Sequence, residues 1–145
     1  MRKKVRTISP DWKFSQIIKF FTKHKISGAP VVNKKGRVIG IISEKDLLFK
    51  LFPSEEDFYK NIEYYFGKVA TDEELKAVSN LNALKVMEKN VISVGPDDHV
   101  LSACAMLLIH HIRRLPVIDK GKLVGIVTTN DVFRNYLLHA SKGIH

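Results

Sequence analysis

The sequence predicts an α+β fold in which one β-α-β-β-α unit occurs twice, with a helical insertion between the two copies. The first observation is internal repetition: Pro10 and Pro96 lie 86 residues apart, and GIISEKD at 40–46 and GIVTTND at 125–131 lie 85 apart. The second is that the lost residue falls in a turn between two apolar runs, where hairpin loops tolerate a change of length. The third is that both copies show the same order of helical and extended patterns.

Each copy opens with a short extended piece that runs into a Pro-Asp turn and then a helix. The extended pieces are residues 5–8 and 91–94. The helices are predicted from apolar residues at spacing i, i+3, i+4 and i+7, which lie on one helix face. These residues are Phe14, Ile17, Ile18 and Phe21 in the first copy and Val100, Ala103, Cys104 and Leu107 in the second.

Two strands joined by a tight turn follow, at APVVNKKGRVIGIIS and LPVIDKGKLVGIVT. They are apolar throughout rather than alternating, so we expect both of their faces to be buried, with helices packed against the sheet. A second helix then opens at Ser43 in one copy and at Thr128 in the other. Ser43-x-x-Asp46 and Thr128-x-x-Asp131 match a capping box, and such a cap stabilises a helix start by about 1 kcal/mol.

The runs ISGAPVVNKKGRVIGIISEKDLL and IRRLPVIDKGKLVGIVTTNDVF resemble the two halves of a cystathionine β-synthase (CBS) domain pair, also called a Bateman module. The resemblance implies tandem CBS repeats with pseudo-twofold symmetry. It implies clefts between the repeats that bind adenosine derivatives, such as AMP, ADP, ATP or S-adenosylmethionine, as regulatory ligands. It also implies a homodimer that signals to an effector protein. The expected division is repeat 1 at 1–50, a connector at 51–80 and repeat 2 at 81–145.

The resemblance builds each cleft from residues of both repeats. The residues of one cleft are expected to be Ser43, Asp46, Ile92, Ser93, Arg113 and Arg114. Those of the other are expected to be Thr7, Ile26, Ser27, Thr128 and Asp131. In each cleft the aspartate is expected to bind the ribose, with strand residues beside the adenine. Because only the first set contains arginines for a phosphate, we expect the tighter phosphate site there.

The chemistry of the two aspartates supports a structural role, a ligand-binding role, or both. As caps they explain the pattern without any ligand. A carboxylate can also accept both hydroxyl hydrogens of a ribose diol, in charge-assisted bonds of about 1.5–3 kcal/mol each. A helix start beside a cleft further offers free backbone N–H groups to a phosphate.

The connector at 51–80 is longer than a simple link and is rich in aromatic residues. PSEE at 53–56 and Thr71-x-x-Glu74 predict two helix starts. The aromatic residues in and beside the connector are Phe49, Phe52, Phe58, Tyr59, Tyr64, Tyr65 and Phe66. Such a group usually packs on the protein's own core, and the alternative is an interface or a lid.

Composition limits the class of protein. A chain of 145 residues that is 45% hydrophobic can form a compact core, and its single cysteine, Cys104, excludes an internal disulfide. No apolar run is long enough for a membrane helix, and the start lacks a secretory signal, so we expect a cytoplasmic protein without membrane contact. Motifs for phosphoryl transfer, zinc hydrolysis and serine hydrolysis are absent, so we expect no catalysis, no catalytic cofactor and no metal site.

Three functions from different classes remain open. The leading one is a regulatory module that senses an adenosyl ligand. The second is a nucleic-acid-binding protein, which is supported only by the net charge of +9. The third is a purely structural dimerisation module, in which Ser43, Thr128 and both aspartates are only helix caps.

Overall fold

The computed structural model describes residues 3–52, 55–65 and 71–138, and the chain divides into two compact units. The first unit combines residues 7–35 with residues 39–90, and the second combines residues 3–6 and 36–38 with the chain from residue 91 onward. The strands form two two-stranded sheets. Each sheet is accompanied by helices, so the predicted α+β class is confirmed.

The elements follow the chain in the predicted order. Up to the end of the connector they are α1 (Phe14–His24), β1 (Gly28–Val32), β2 (Val38–Ser43), α2 (Glu44–Phe49), α3 (Glu55–Lys60), α4 (Ile62–Tyr65) and α5 (Asp72–Ser79). After the connector they are α6 (Ala83–Val86), α7 (Val100–Ile109), β3 (Arg114–Asp119), β4 (Lys122–Thr128) and α8 (Thr129–Val132). A π-helical turn, Phe133–Leu137, continues α8.

The extended piece that opens each copy pairs with its sheet through one residue only. In the first unit the Ile8 N–H donates to the Pro30 carbonyl at 2.9 Å, and the Val32 N–H donates to the Ile8 carbonyl at 3.0 Å. The second unit repeats both bonds, at 3.1 and 2.9 Å, with Val94, Pro116 and Ile118. The strands predicted at 5–8 and 91–94 therefore reduce to single parallel bridges, while the matching register confirms the duplication.

The first long helix of each copy packs through a narrower stripe than the sequence predicts. Phe14, Ile17 and Phe21 are buried in α1, whereas Ile18 is 43% exposed. Consecutive helical residues point about 100° apart, so Ile18 turns away when Ile17 lies against the sheet. The prediction that Ile18 belongs to the buried face is wrong. In α7, Ala103 and Leu107 are buried, and Val100 and Cys104 are only half-buried.

Both long helices end in the same way, which leads the chain towards the predicted site. Lys25 and His111 each adopt the left-handed conformation, with φ of 53°. The next amide then bonds back into the helix, from Ile26 to Phe21 at 3.1 Å. This is a frequent helix ending, and it turns the chain sharply into the following strand.

The strands confirm their predicted burial only in part. The three central residues of β1, and likewise three residues of β3, are buried. In β2 and β4, by contrast, buried positions alternate with half-buried ones or stand singly. Alternating burial is typical of a strand with one covered face, so the expectation that every strand is buried on both faces is wrong for β2 and β4.

Each unit has its own hydrophobic core. The buried side chains of the first are Ile8, Phe14, Ile17, Phe21, Ala29, Val31, Ile42, Leu47, Ala83 and Val86. Those of the second are Val94, Ala103, Leu107, Leu115, Val117 and Val132. Each core therefore draws on the helices and strands of its own unit.

The connector forms the helices α3 to α5. The predicted start at Pro53-Ser54 lies outside the described residues. The Thr71 capping box is confirmed, because the Glu74 N–H donates to Thr71 Oγ1 at 3.2 Å and the Thr71 N–H donates to Glu74 Oε2 at 3.3 Å.

The described aromatic rings of the connector pack on one another. Phe49, Phe52, Phe58 and Tyr59 have centroids 4.6–6.0 Å apart. None of the four belongs to the hydrophobic core of the first unit as described. Packing onto the core, the usual expectation for such residues, does not hold for them. Phe66 and the side chain of Tyr65 lie outside the described part of the chain.

Candidate functional site

Asp46 lies in the first turn of α2, where it caps the helix together with Ser43. The Ser43 N–H donates to Asp46 Oδ2 at 2.8 Å, and the Ser43 hydroxyl donates to the same oxygen at 3.0 Å. In return, the Asp46 N–H donates to Ser43 Oγ at 3.3 Å. The predicted capping box is therefore formed, and it fixes the direction of the Asp46 carboxylate.

The second oxygen of Asp46 is left for another partner. Oδ1 accepts no hydrogen bond from the described residues, and no buried side-chain oxygen or nitrogen among them lacks a partner. Oδ1 therefore faces solvent, although the residue as a whole is half-buried. One carboxylate oxygen serves the helix, and the other is open to a hydroxyl donor.

Burial raises the pKa of the Asp46 carboxyl above its ordinary value. The hydrogen bonds from Ser43 act in the opposite direction, and the negative charge of Glu88 adds to the rise. Glu88 is held near β2 because it exchanges two backbone hydrogen bonds with Ile41, at 2.9 and 3.0 Å. The fold thus holds a carboxylate where its charge is disfavoured, a pattern found at many functional sites.

Asp131 occupies the equivalent position in the second unit. The Thr128 N–H donates to Asp131 Oδ2 at 3.0 Å, and the Asp131 N–H donates to Thr128 Oγ1 at 3.1 Å. Asp131 is half-buried, like Asp46. The second capping box is also confirmed, so each unit presents one capped carboxylate at the end of its hairpin.

Backbone hydrogen bonds place one further predicted residue beside each helix start. The Glu44 N–H donates to the Ser27 carbonyl at 2.9 Å, and the Thr129 N–H donates to the Arg113 carbonyl at 3.0 Å. Ser27 therefore lies next to the helix that carries Asp46, and Arg113 lies next to the helix that carries Asp131. The resemblance grouped these residues the other way round, with Arg113 serving the Asp46 cleft.

The remaining predicted residues lie on the strand-like segments of the two units. Thr7 is half-buried and directly precedes the bridge residue Ile8. Ile26 packs against the first core and Ile92 against the second. Ser93 and Arg113 are exposed, and Arg114 is half-buried. Both predicted clefts combine residues of the two units, and their composition stays a prediction.

Sequence reasoning missed two contacts of β2, the strand that leads into the helix carrying Asp46. Gly40 is buried, and a Cβ atom there would collide with the side chain of Met87. Ile41, next in β2, pairs with Glu88 in an antiparallel bridge. A glycine inside a strand often marks a close approach of another segment, and this was the only signal in the sequence for these contacts.

The fold defines a duplicated α+β module in which a capped aspartate, Asp46 or Asp131, follows the hairpin of each unit. The profile of the CBS domain family matches residues 1–52 and 81–138. The chain therefore belongs to the CBS domain family. Protein MJ1426 of Methanocaldococcus jannaschii is 33% identical over 142 residues, which cover 90% of this chain and 84% of that protein.

Solved structures agree with this assignment. The CBS domain of a CBS domain-containing membrane protein from Sphaerobacter thermophilus is 32% identical, with a TM-score of 0.67 over 90% of this chain and 80% of that one. CBSX2, solved in complex with AMP, is 24% identical, with a TM-score of 0.72 over 97% and 94%. The CBS domain pair of MJ0100, solved with 5′-methylthioadenosine and S-adenosyl-L-methionine, is 23% identical, with a TM-score of 0.66 over 98% and 93%.

The relatives also include an enzyme, matched over a small part of its length. Inosine-5′-monophosphate dehydrogenase of Aquifex aeolicus is 26% identical over 88% of this chain, which corresponds to 22% of the enzyme. The similarity is therefore confined to a minor portion of that protein. None of the helices in the described part of this chain has the length and hydrophobicity needed to cross a bilayer.

Proposed function

We propose that this chain is a regulatory module that binds an adenosine derivative and signals by a change of conformation. The observation that carries the proposal is that the two carboxylate oxygens of Asp46 differ in their surroundings. Oδ2 caps α2, and Oδ1 faces solvent. A ribose diol offers two hydroxyl donors to such a carboxylate, in charge-assisted bonds of about 1.5–3 kcal/mol each. Asp131 is capped in the same way in the second unit, and we include it in the proposal.

Family membership supports the class of ligand. CBSX2 was solved with AMP, and MJ0100 was solved with S-adenosyl-L-methionine and 5′-methylthioadenosine. These ligands share an adenosine group and differ in the charge carried on the ribose 5′ position. Arginines are suited to neutralising a phosphate there, so the exposed Arg113 and the neighbouring Arg114 favour an adenylate such as AMP, ADP or ATP.

The repeat boundaries and cleft residues enter the same proposal. Repeat 1 comprises residues 1–50, the connector 51–80 and repeat 2 residues 81–145. The module acts as a cytoplasmic regulator rather than as an enzyme, without a catalytic cofactor or metal, and passes its signal to an effector protein. Free nucleotide rather than nucleic acid is its anionic partner.

A thermal-shift panel with the purified 145-residue chain tests this proposal. AMP, ADP, ATP and S-adenosylmethionine are compared with GMP and CMP at equal concentration. A ligand stabilises the protein by RT ln(1 + [L]/Kd), so a micromolar binder at millimolar concentration adds about 4 kcal/mol. We expect stabilisation by at least one adenosyl compound and none by the other two nucleotides. Equal shifts with all nucleotides, or no shift at all, would contradict the proposal.

A purely structural dimerisation module is the second candidate, because both capping boxes are formed. In that case the aspartates only stabilise helix starts. The two candidates differ in what Asp46→Asn changes. If Asp46 binds a ligand, the variant loses ligand affinity and keeps its fold. If Asp46 is only a cap, the variant changes the melting temperature and leaves ligand affinity unchanged.

A homodimer fits both candidates, and we include it in the proposal. In α7 and the π-helical turn, apolar side chains are exposed: Leu108 by 67%, Ile109 by 68% and Phe133 by 55%. Exposed apolar surface of this kind is typical of an oligomer interface. Self-association through this face removes it from water.

A further inference from the structure

The connector carries a second exposed surface that the CBS repeats do not require. The family profile ends at residue 52 and resumes at residue 81. Between these residues Tyr59, Ile62 and Tyr64 are 58%, 45% and 67% exposed. Glu56 and Glu63 are exposed beside them in the chain. We call these five exposed residues, which lie close together in the chain on α3 and α4, the connector patch.

The charge of the connector is opposite to that of the rest of the chain. Residues 51–80 contain seven acidic and three basic residues, whereas the remaining 115 residues contain eight acidic and 21 basic ones. Within the patch, Glu56 pairs with Lys60 at 2.6 Å, in an ion pair whose two side chains are both largely exposed. Such an exposed pair is weak, so the acidic character of the connector remains available to a partner.

Ring contacts tie one end of the patch, at Tyr59, to the first unit. Tyr59 lies 6.0 Å from Phe49 and 5.4 Å from Phe58, measured between ring centroids. Phe58 in turn lies 5.6 Å from Phe49 and 4.6 Å from Phe52. Phe49 is the last residue of α2, the helix that carries Asp46. A side chain held in this way loses little conformational entropy when another chain covers it.

We propose that the connector patch binds a basic segment with an apolar face that belongs to a partner protein. Aromatic and aliphatic side chains fill the centre of such interfaces, and charged residues at the rim steer and select the partner. A second copy of this chain is the poorer occupant. A twofold dimer through the patch would place its acidic residues against themselves, and like charges across an interface are unfavourable.

The test uses the 145-residue chain and a labelled peptide of about 18 residues with leucine and lysine at helical spacing. Binding is measured by fluorescence anisotropy at two salt concentrations, and a leucine-glutamate peptide of the same length is the control ligand. We expect only the lysine peptide to bind. A wild-type chain that binds neither peptide, or both equally, would overturn the proposal.

Two sets of variants locate the site. The double variant Tyr59→Ser, Ile62→Ser is expected to weaken binding by about tenfold or more, the effect of losing a central interface residue. Glu56→Gln with Glu63→Gln is expected to weaken it less and to reduce its salt dependence. The matched control, Ile18→Ser with Leu84→Ser, removes two exposed apolar residues outside the connector and outside the proposed dimer face, and it should leave the affinity unchanged.

The alternative occupant is tested on the same proteins. Circular dichroism melts check that each variant is folded, which is expected because all substituted side chains are exposed. Sedimentation velocity then reports the oligomeric state. If Tyr59→Ser, Ile62→Ser dissociates a dimer, the patch contacts a second copy, and the proposal of a different partner is wrong. Equal loss of peptide binding in the Ile18 and Leu84 control would also overturn it. Neither result bears on adenosyl binding, which the thermal-shift panel measures separately.

Discussion

Asp46 shows how a single carboxylate can serve a helix and a ligand at once. Its Oδ2 accepts from both the amide and the hydroxyl of Ser43, while Oδ1 remains open to solvent. A charged carboxylate stabilises a helix start, but burial penalises its ionised form and works against that gain. The raised pKa of Asp46 is the sign of that penalty.

Substituting Asp46 by asparagine separates the two roles. The amide oxygen of the new side chain can still accept from the Ser43 N–H, so we expect the melting temperature at pH 7 to be unchanged or higher. Removing the charge should abolish most of the stabilisation by an adenylate, because the ribose loses its charge-assisted acceptor. Differential scanning fluorimetry with and without AMP measures both effects. Glu74→Gln in the Thr71 capping box is the matched control and should leave AMP binding intact.

The stability of the wild-type protein should also depend on pH through Asp46. Because its pKa in the folded state is raised above the ordinary value of 3.8, the folded state holds the proton more tightly than the unfolded state. Its contribution to stability is present at pH values below 3.8 and is lost as the pH rises through the higher folded-state pKa. We expect the free energy of unfolding of wild type, relative to Asp46→Asn, to fall across this window and then level off.

Urea unfolding of both proteins at a series of pH values from about 3 to about 8 measures this difference. The subtraction cancels titrating groups that the two proteins share. A difference that grows in favour of the wild type as the pH rises would contradict the assignment, since it would mean that the folded state stabilises the ionised carboxylate.

The proposed cleft that combines Arg113 with Asp46 makes a prediction about coupling. The backbone carbonyl of Arg113 accepts from the Thr129 N–H, beside the helix start that carries Asp131, and this bond does not set the direction of the exposed guanidinium. We expect Arg113→Ala and Asp46→Asn to be non-additive in AMP binding, because residues that hold one ligand couple in a double-mutant cycle. Arg113→Ala and Asp131→Asn should instead be additive. Calorimetric titration of these single and double variants with AMP measures the coupling, and the reverse pattern would contradict this grouping.

At the scale of elements, the close approach of β2 to the segment after α6 depends on a missing side chain. Gly40 is buried, and its added Cβ would meet the Sδ, Cγ and Cβ atoms of Met87. We expect Gly40→Ala to lower the free energy of unfolding by about 1–3 kcal/mol, the usual effect of overpacking. Met87→Ala should restore part of the loss in the double variant, because it removes two of the three colliding atoms. Urea unfolding of the four proteins tests this, and an additive result would show that the strain lies elsewhere.

The sequence predicted those elements whose signal is local. The hairpins, the long helices and all three capping boxes depend on residues within one turn or one loop of each other, and each forms as expected. The prediction of opening strands was wrong because each of them forms only a single bridge, through Ile8 or Val94. Such a bridge depends on which sheet edge is available, and no local sequence pattern encodes that. The contact of Gly40 with Met87 joins residues 47 positions apart, so the sequence could mark Gly40 as unusual and could not name its neighbour.

At the scale of the site, the two capped aspartates could be predicted from the sequence, whereas which residues share a cleft stays a prediction. Asp46 and Asp131 were found from a capping motif that repeats at a spacing of 85. The position of Arg113 beside α8 follows from how the chain turns after His111, whose left-handed conformation has no reliable signal in a non-glycine residue. The solvent exposure of the second oxygen of Asp46 likewise depends on packing, which only the three-dimensional structure shows.

At the scale of the whole molecule, the two repeats differ on their outer helix faces. α7 exposes Leu101, Leu108 and Ile109, and the positions 86 residues earlier are Ser15, Thr22 and Lys23. This helix face is therefore polar in the first repeat and apolar in the second. Since apolar surface drives association and the chain otherwise carries a net charge of +9, self-association should be carried by the apolar copy.

Leu108→Glu tests this arrangement. In a twofold dimer through α7 each substitution occurs on both sides of the interface, so the variant places two carboxylates in an apolar contact, where unpaired charge is strongly unfavourable. We expect a shift from dimer to monomer in sedimentation velocity at micromolar protein. Thr22→Glu, the equivalent change on α1, should leave the dimer intact, because that face is polar in repeat 1. Loss of the dimer in Thr22→Glu alone would place the interface on the first repeat, and both proteins should retain their melting temperature because the substituted side chains are exposed.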